Sequence, residues 1–369
     1  MKKHLLALLF LQFPTLACAS TPSAPNPAPV KSTATVTGVS DTERYARRCQ
    51  PQTPHRNGRP QGTMLWGTKR SWDSEKASPA QSSVLVSADL APLRKAEAGV
   101  KALRLEGGHL VAALGPEAGA SSSGVVGTVL QGTSSNGTSV EVAICGAEPS
   151  AQDPEMVYYR IEAWNEVAQE WENPCVALGE VTHPRALAVG GVWDASGARH
   201  DAPGKLTFAC ENGVITKCVL FGYKPWAVHE GKPVTDLHQT CTRVARADYC
   251  GNGRSHTRDN NPVDIYDRLG LVQPETRATA LWDPSRGSFE AAWAPDGATC
   301  LARTRDDRAM ETILQECPNR FQVGEPVDVG NGERCTVRRT DVSPGSGLLR
   351  NLSYGAPKGP TASMNAGRP

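Results

Sequence analysis

The sequence predicts a β-rich α+β protein, in which a small antiparallel β domain precedes a disulfide-rich α+β domain. Three observations support this fold class. The chain has 35 glycines and 28 prolines in 369 residues, which favours many short elements with frequent turns over a helical bundle. Short apolar runs separated by turn signals fill the first half. Beyond about residue 186, cysteines become frequent and two segments have the apolar spacing of helices.

The N-terminus predicts an exported protein. Residues 1–19 combine a basic start, an uncharged apolar run and an exit of small residues, which is the pattern of a secretory signal peptide. The apolar run is too short to span a membrane. Two processing routes fit the same residues and stay open. Ala17 and Ala19 suit ordinary signal peptidase, whereas Leu16-Ala17-Cys18 resembles a lipobox in which Cys18 is lipidated.

Both ends of the chain beyond the signal have the composition of unstructured segments. Residues 20–40 and 343–369 are rich in proline and small residues, so we predict a disordered tether and a disordered tail. The folded region lies between them. Its predicted divisions are a β-rich N-terminal domain over 41–180, a disulfide-rich domain over 186–322 and a C-terminal extension over 323–342.

The charge balance excludes one class of partner. Lys and Arg total 39 while Asp and Glu total 38, so the formal net charge is +1. A chain with this balance has no field of one sign that would steer it to nucleic acid. We expect an extracellular or envelope ligand of unknown identity as the partner, with membrane attachment only through a lipidated Cys18.

The cysteines predict a disulfide framework. Of the 11 cysteines, Cys18 belongs to the signal region, which leaves an even number for five bridges. The ten are Cys49, Cys145, Cys175, Cys210, Cys218, Cys241, Cys250, Cys300, Cys317 and Cys335. Because no C-x-x-C pair occurs, a zinc cluster is not expected, and we predict no metal and no cofactor.

The sequence indicates some of the pairings and leaves others open. We favour Cys300 with Cys317, which lie on a predicted strand and at a predicted helix end. Cys210 with Cys218 also fits, although cross-links to Cys241 fit as well. Cys241 and Cys250 should not pair, because nine residues turn a helix by half a revolution.

The first half predicts two hairpins and a long strand. Glu106-Gly107-Gly108 separates two apolar segments and predicts a Gly-Gly hairpin turn. Asn136-Gly137 lies in the loop between apolar segments at 124–130 and 140–144, which predicts a second hairpin. The alternation over 156–164 predicts a half-buried strand.

The second half predicts two helices on either side of a hairpin. Residues 235–250 form the better helix, with Thr235 as its N-cap and Gly251 just beyond its C-terminal end. Residues 307–316 place their apolar side chains on one face before a proline stops the helix. Between the helices, Pro295-Asp296-Gly297 predicts a hairpin turn.

One carboxylate in the longer helix breaks the local rules, because Asp248 falls on the apolar arc of the helical wheel. That arc consists of Leu237, Cys241 and Val244. A buried carboxylate must be paired or hydrogen-bonded, and the last helical turn disfavours negative charge. The simpler interpretation is that Asp248 anchors the following loop, through backbone amides of 251–254 or through the side chain of Arg254 or Arg258.

The alternative interpretation is chemical and makes Asp248 an acid/base partner of His256 or His238. The adjacent Ser255 and His256 do not indicate a nucleophile and its base, because catalytic triads are defined by geometry and not by adjacency. The candidate catalytic residues are therefore Asp248, His256 and His238.

A third interpretation concerns calcium. The segment after the longer helix is rich in oxygen ligands. It contains Asp259, Asn260, Asn261, Asp264 and Asp267. The glycine and the terminal glutamate of an EF-hand loop are missing, so a solvated loop is the stronger interpretation. A calcium-stabilised adhesive module stays as a third functional class.

The most specific motif resembles a known family. Ala247-Asp248-Tyr249-Cys250-Gly251, followed by Gly253 and Ser255-His256-Thr257, resembles the signature of the bacterial ADYC domain. Further similar segments are Phe208-Ala209-Cys210, Lys217-Cys218, Gly222-Tyr223-Lys224-Pro225-Trp226, Phe289-Glu290-Ala291-Ala292-Trp293 and Gly297-Ala298-Thr299-Cys300-Leu301. The resemblance extends from about residue 186 to residue 317. It implies an exported domain in an envelope setting, and it transfers no catalytic residue and no cofactor.

These features predict an exported or lipid-anchored cell-envelope protein that binds or scaffolds an extracellular component. The alternative is an extracellular hydrolase that uses Asp248 with His256 or His238. Whether the protein is an enzyme stays open at this point. The expected locations are the medium, the periplasm or, for a lipoprotein, the outer membrane.

Overall fold

The described part of the computed structural model contains a seven-stranded and a six-stranded antiparallel sheet, together with three two-stranded sheets and short helices. The two large sheets are called the first and the second sheet. The described residues are 39–50, 85–96, 99–115, 122–135, 137–175, 181–257, 261–306 and 308–354. The predicted signal peptide, Cys18 and the predicted tether up to residue 38 lie outside them, as does the predicted tail from residue 355. The described residues belong to one compact unit.

The helices are short, and the strands outnumber them in this part of the chain. The helices are α1 (Asp41–Ala46), α2 (Val214–Leu220), α3 (Thr235–Arg246) and α4 (Met310–Glu316). The strands before α2 are β1 (Leu85–Asp89), β2 (Val100–Glu106), β3 (His109–Leu114), β4 (Val129–Ser134), β5 (Ser139–Pro149), β6 (Val157–Asn165), β7 (Glu170–Glu172), β8 (Ala186–Gly190), β9 (Val192–Trp193), β10 (Arg199–His200) and β11 (Lys205–Cys210). The strands after α2 are β12 (Val228–His229), β13 (Lys232–Pro233), β14 (Val263–Asp267), β15 (Gly287–Ala294), β16 (Gly297–Leu301), β17 (Phe321–Asp328), β18 (Arg334–Arg339) and β19 (Leu349–Tyr354).

Six strands of the first sheet close into a barrel. The sheet order is β5-β4-β1-β11-β8-β6-β7, and β5 also pairs with β6, which completes the ring. Alternate side chains point inward, as Leu130, Val142 and Ile161 do, and form an apolar core. The ring contains strands from both sides of residues 180–186, where the boundary between the two domains was predicted. Strand β8 pairs with β6, and β11 pairs with β1. The predicted β-rich α+β class is confirmed.

The outer face of the barrel is covered on two sides. On one side Ala143 and Trp171 pack with Tyr45 of α1. On the other side Leu187 and Ala209 join the largest apolar core, to which α2 and α3 also contribute. The barrel strands are therefore buried on both faces where these helices cover them.

The second sheet has the strand order β14-β19-β15-β16-β18-β17. The predicted hairpin is confirmed, because β15 and β16 pair on either side of the Pro295-Asp296 turn. Helix α3 packs against β14, β15, β16 and β19, and it shares the largest core with Trp293 of this sheet and Leu187 of the barrel. The C-terminal end of α3 is thus placed where the two sheets meet.

The three strand predictions for the first half are confirmed. Strands β2 and β3 form the first hairpin with Glu106 opposite His109, and Gly107 takes a φ of +63° in the turn. Strands β4 and β5 form the second hairpin, in which Gly137 has a φ of +81°. Asn136 of that turn lies outside the described residues. The strand expected over 156–164 is β6.

Helix α3 is shorter than predicted at its C-terminal end. It stops at Arg246 because Ala247, and not Gly251, adopts the left-handed conformation, with a φ of +50°. The prediction of Thr235 as N-cap is also wrong. Thr235 is the first helical residue, and its hydroxyl donates to a backbone carbonyl outside the helix.

Two other helices differ from the sequence prediction. The second predicted helix is α4, which begins at Met310, while Asp307, its expected start, lies outside the described residues. Helix α2 was not predicted, because five of its seven residues are buried and the amphipathic pattern of a surface helix is missing. Of the helices in the described ranges, none is both long enough and apolar enough to cross a bilayer.

Five disulfides join the elements. They are Cys49–Cys145, Cys175–Cys210, Cys218–Cys241, Cys250–Cys317 and Cys300–Cys335. The predicted number is confirmed, and Cys241 and Cys250 do not pair with each other. These bridges run between elements and not within hairpins, so each one closes a long stretch of chain.

Two of the suggested pairings are wrong. Cys300 pairs with Cys335 and not with Cys317, because β16 and β18 are neighbours in the second sheet. Cys210 does not pair with Cys218. The helix that carries Cys218 packs against α3, so Cys218 meets Cys241, which was the open alternative.

Candidate functional site at the end of helix α3

A buried polar cluster surrounds the C-terminal end of α3. The left-handed Ala247 reverses the chain, so the residues that follow turn back beneath the helix. We call this cluster the polar junction. Its members are Arg243, Asp248, Tyr249, His256, Glu290 and Arg305. Each of them is at most 2% exposed.

Asp248 is completely buried, and three donors surround its carboxylate. Arg243 Nη1 lies 2.6 Å from Oδ2, and the Gly253 amide lies 2.9 Å from the same oxygen. The Asn252 amide donates to Oδ1 at 3.2 Å. Two of these donors are loop amides from the segment that the anchor interpretation names. Asp248 therefore fastens the loop after the helix to the helix itself.

The cation that pairs with Asp248 is not the one predicted. Arg243 comes from the helix, whereas Arg254 lies 3.3 Å from a carboxylate oxygen of Glu316. Arg258 lies outside the described residues. The physical reason is the chain reversal at the helix end, which turns Asp248 back toward the preceding helical turn and away from the loop cations.

Arg243 also connects the β9–β10 hairpin with the second sheet. Its guanidinium donates to the Ser196 carbonyl in the β9–β10 turn and, at 3.0 Å, to the Pro295 carbonyl in the β15–β16 turn. Gln239, one helical turn earlier, donates to the Gly197 carbonyl at 2.8 Å. One face of α3 thus holds a turn from each half of the molecule by its backbone carbonyls.

Two glycines let the loop after α3 approach the β15–β16 turn closely. Gly251 has a φ of +66°, and a Cβ there would lie 1.8 Å from the Asp296 carbonyl oxygen. Gly297 has a φ of +123°, and a Cβ there would lie 2.7 Å from the Tyr249 carbonyl oxygen. Only glycine fits both the conformation and the space. The glycine that follows Cys250 in the motif is therefore required by packing.

A second ion pair lies beneath the helix end. Arg305 Nε and Nη2 contact the two oxygens of Glu290 at 2.9 and 3.0 Å, which is the bidentate arrangement. Tyr249 donates from its hydroxyl to Glu290 at 3.0 Å and accepts from the Arg305 amide at 2.8 Å. Arg305 also donates to the carbonyls of Val244 and Ala245, two of the last carbonyls of α3.

The charge states in this pair follow from its surroundings. Burial alone would raise the pKa of Glu290, but Arg305 and the hydrogen bonds hold that pKa below its ordinary value. Burial raises the pKa of Tyr249 well above its usual range, so its hydroxyl keeps its proton. Glu290 is therefore a carboxylate and Tyr249 a neutral donor, which fits the hydrogen bonds observed.

His256 lies on the other side of Tyr249 and bonds away from Asp248. Its Nδ1 is 2.9 Å from the Ala247 carbonyl, and its Nε2 is 2.6 Å from Glu316 Oε2. The imidazole ring packs on Tyr249, with 5.5 Å between the ring centroids. Both ring nitrogens therefore face oxygen atoms, and neither faces Asp248.

His238 occupies a separate apolar site. Its Nε2 is 3.0 Å from the Ile215 carbonyl of α2, and its ring packs edge-on against Trp193 at 5.9 Å. Burial lowers the pKa of His238 to about 4, so the ring stays neutral at neutral pH. Among the described residues, Asp248 hydrogen-bonds neither His238 nor His256. The structure therefore does not bring the candidate catalytic residues together.

The oxygen-rich segment also differs from its prediction. Asp264 and Asp267 lie on β14 and not in a solvated loop, and both are buried. Asp267 accepts from a series of loop amides and from the Tyr223 hydroxyl. Burial raises the pKa of Asp264 to about 6. Asp259 and Asn260 lie outside the described residues.

The polar junction and the five disulfides define a disulfide-stabilised β-rich domain whose signature residues face inward. The family model of the ADYC domain matches residues 122–307, about half of the chain. This protein therefore belongs to the ADYC domain family. Comparison with curated proteins and with solved structures gives no significant match.

The family match corrects the extent of the resemblance and agrees with the architecture. It begins at residue 122, well before residue 186, and so includes barrel strands from β4 to β11. An ADYC domain with five disulfides fits an extracellular module, since such bonds persist in oxidising compartments.

Two residues of the polar junction, Glu290 and Arg305, were not predicted from the sequence. They are 42 and 57 residues beyond Asp248, so no local spacing connects them to the motif. One feature of the sequence did point to Glu290. Glu290 lies within the apolar segment Phe289-Glu290-Ala291-Ala292-Trp293, and a charge in the middle of a buried strand requires a partner.

Proposed function

We propose that this protein is an exported module of the cell envelope that binds or scaffolds an extracellular component and does not act as a hydrolase. One observation carries the proposal. The Asp248 carboxylate is fully buried, and it already accepts hydrogen bonds from Arg243, Asn252 and Gly253. A general acid or base must lie within reach of its substrate, and Asp248 faces the scaffold instead.

The two histidines support the same proposal. His256 and His238 are both fully buried and bonded to backbone carbonyls, at 2.9 and 3.0 Å. Arg243 lies between Asp248 and the β9–β10 and β15–β16 turns, so removing Asp248 would disturb the fold before any chemistry. The features of the family signature are thus those of a structural anchor.

The decisive experiment compares catalysis with stability. Purified mature protein is tested on chromogenic esters, phosphoesters, glycosides and peptides, beside Asp248→Asn and the exposed control Asp201→Asn. We expect no turnover that depends on Asp248. Turnover by the wild type that disappears in Asp248→Asn, with an unchanged melting temperature and an active Asp201→Asn, would overturn the proposal in favour of the hydrolase.

The binding half of the proposal has its own test. Isolated envelope fragments are mixed with increasing amounts of the folded protein and sedimented. Saturable co-sedimentation that is lost when the protein is reduced and unfolded supports a binding module. Sedimentation that rises linearly without saturation contradicts it.

The proposal also concerns how the protein is attached to a membrane. The five disulfides use every cysteine after Cys18, which supports passage of the chain into an oxidising compartment. We propose that Cys18 is lipidated and holds the module at a membrane. Cys18→Ser should then release the protein from membranes and abolish palmitate incorporation. A soluble wild type whose first residue is Ser20 would show simple secretion instead.

A further inference from the structure

The N-terminal disulfide gathers three groups that could bind a metal ion. The Sγ atoms of Cys49 and Cys145 and a carboxylate oxygen of Glu162 all lie within 4.8 Å of one another. Glu162 is 1% exposed, and its Oε2 accepts a hydrogen bond of 2.7 Å from the Cys49 amide. In the disulfide the sulfurs carry no thiolate charge, so this set gains its ligand character only when the bond is open.

The barrel fixes two of the three groups. Strands β5 and β6 are paired with Ala143 opposite Glu162, and Cys145 follows two residues later on β5. The β5–β6 register shifts between Ile144 and Gly146, so Cys145 lies at a β-bulge. Cys145 packs with Ala143 in the cluster on the outer face of the barrel, close to Glu162. Cys49 is brought to them by the short segment that follows α1.

Accessibility distinguishes this disulfide from the other four. Cys49 is half-buried, whereas the other nine paired cysteines are at most 8% exposed. A dithiol reductant can therefore attack Cys49 Sγ first. The first thiolate of the reductant forms a mixed disulfide with Cys49, and Cys145 is released as a thiolate. The second thiolate of the reductant then closes its own disulfide and releases Cys49, so two electrons pass from the dithiol to the cysteine pair.

We propose that Cys49, Cys145 and Glu162 form a binding site for a thiophilic divalent cation such as Zn²⁺ when this disulfide is open. Two thiolates and one carboxylate supply three ligands of the kinds that zinc takes, and a water molecule completes a tetrahedral set. The Cys49 amide that now orients Glu162 provides the supporting hydrogen bond that such ligands commonly have.

The metal and the disulfide are then alternative forms of one cross-link. Either form joins the α1 segment to the barrel, where the Trp171 indole donates to the Arg44 carbonyl at 2.8 Å. The cation keeps α1 docked in the dithiol state, before oxidation or after reduction. Trp171 lies close enough to the link to report on undocking through its fluorescence.

Cobalt is the probe for this site, because thiolate-bound Co²⁺ absorbs visibly. The mature protein is treated with a limiting amount of a dithiol, and alkylation mapping establishes which thiols are free. We expect Cys49 and Cys145 to be freed first. CoCl₂ should then produce thiolate absorption at one equivalent per chain, ZnCl₂ should displace it, and the oxidised protein should show none.

Matched variants make the outcome decisive. Glu162→Gln keeps the disulfide, so its folding is checked in the oxidised state, and its Kd for Co²⁺ should rise about tenfold or more. The exposed control Glu170→Gln should bind as the wild type does. The proposal is overturned by prior opening of another disulfide, by absent cobalt absorption, by equal absorption in a Cys49→Ser, Cys145→Ser double variant, or by an unchanged Kd in Glu162→Gln.

Discussion

The barrel and the polar junction are both buried, but different interactions hold them. Leu130, Val142 and Ile161 fill the barrel with apolar side chains that alternate along the strands. The junction instead buries two ion pairs, Arg243 with Asp248 and Arg305 with Glu290, at the end of a helix. The barrel is stabilised by removing apolar area from water, whereas the junction is stabilised only while every donor and acceptor is matched.

This difference shows what the family signature marks. Apolar cores accept changes of similar volume at small cost, so the barrel sequence can vary while the barrel persists. A buried ion pair accepts almost no change, because loss of one partner leaves the other charged and unpaired. Single substitutions of charged residues at the Ala247-Asp248-Tyr249-Cys250 motif should therefore be costly.

The largest expected effect comes from breaking the Arg305–Glu290 pair. Arg305→Ala leaves Glu290 buried without its cation and frees two α3 carbonyls, so the free energy of unfolding should fall by about 3–5 kcal/mol. Arg47→Ala is the control, because Arg47 pairs with Glu43 on the surface of α1 and its side chain is 51% exposed, so its loss should cost less than about 1 kcal/mol. Urea denaturation measures both, and equal losses would contradict the comparison.

Alanine substitutions at two glycines compare the polar junction with the barrel directly. Both have positive φ, but a Cβ on Gly251 would collide with the Asp296 carbonyl while a Cβ on Gly137 meets nothing within 4 Å. Gly251→Ala should lower the free energy of unfolding by about 2–5 kcal/mol through strain and overpacking. Gly137→Ala should cost only about 1–2 kcal/mol. Chemical denaturation that gives the reverse order would argue against the close packing at the junction.

Substitutions of Asp248 test whether this carboxylate anchors the loop after α3. Asp248→Ala removes an acceptor from two amides and a guanidinium, which should cost about 2–4 kcal/mol. Asp248→Asn keeps much of the shape and should cost less. Asp194→Ala serves as the exposed control, since the side chains of Asp194 and its partner His200 are 43% and 56% exposed. Unchanged thermal stability in Asp248→Ala would remove the anchor interpretation.

The smallest expected effect is a pH dependence with two opposing parts. Burial lowers the pKa of His238 from 6.5 to about 4, so the unfolded chain binds a proton in that range that the folded chain does not. Stability from His238 is therefore present above pH 6.5 and lost as the pH falls, by up to about 3 kcal/mol. Asp264 acts in the opposite direction. Its raised pKa of about 6 lets the folded chain bind a proton first, which adds stability as the pH falls.

Variants separate these two contributions. His238→Gln should flatten the loss of stability between neutral pH and pH 4, and Asp264→Asn should make that loss steeper. Urea midpoints at a series of pH values measure both slopes. A slope that neither variant alters would show that other groups govern the acid stability.

The elements predicted correctly are those with local causes. The Gly107-Gly108 turn brings together strands that adjoin it in sequence, and the strand over 156–164 follows from alternation alone. The ends of α3 were less predictable, because a left-handed alanine at 247 ended the helix where propensity would continue it. Asp248 is buried as the helical wheel indicated, but it lies beyond the end of α3, so its burial depends on the chain reversal at Ala247 and not on helical geometry.

Some residues of the candidate site could be predicted from the sequence, but most of their contacts could not. The wheel predicted a buried Asp248 in need of a partner, although it placed that residue inside a helix that ends at Arg246. The loop amides of Asn252 and Gly253 lay within a few residues of it. Its cation was assigned to the wrong element, because the chain reversal that selects Arg243 appears only in three dimensions. The partners of Tyr249 and the direction in which His256 points depended on α4 and the second sheet.

Residue types and spacing within a few turns were enough to predict the β-rich class, the two early hairpins, the count of five disulfides and the ADYC signature. Long-range contacts determine which cysteines meet, how strands on both sides of residues 180–186 close one barrel, and why Asp248 bonds Arg243 and not a histidine. Those outcomes depend on which distant segments pack together. Packing between distant segments is set by the burial of the whole core, and no local pattern encodes it.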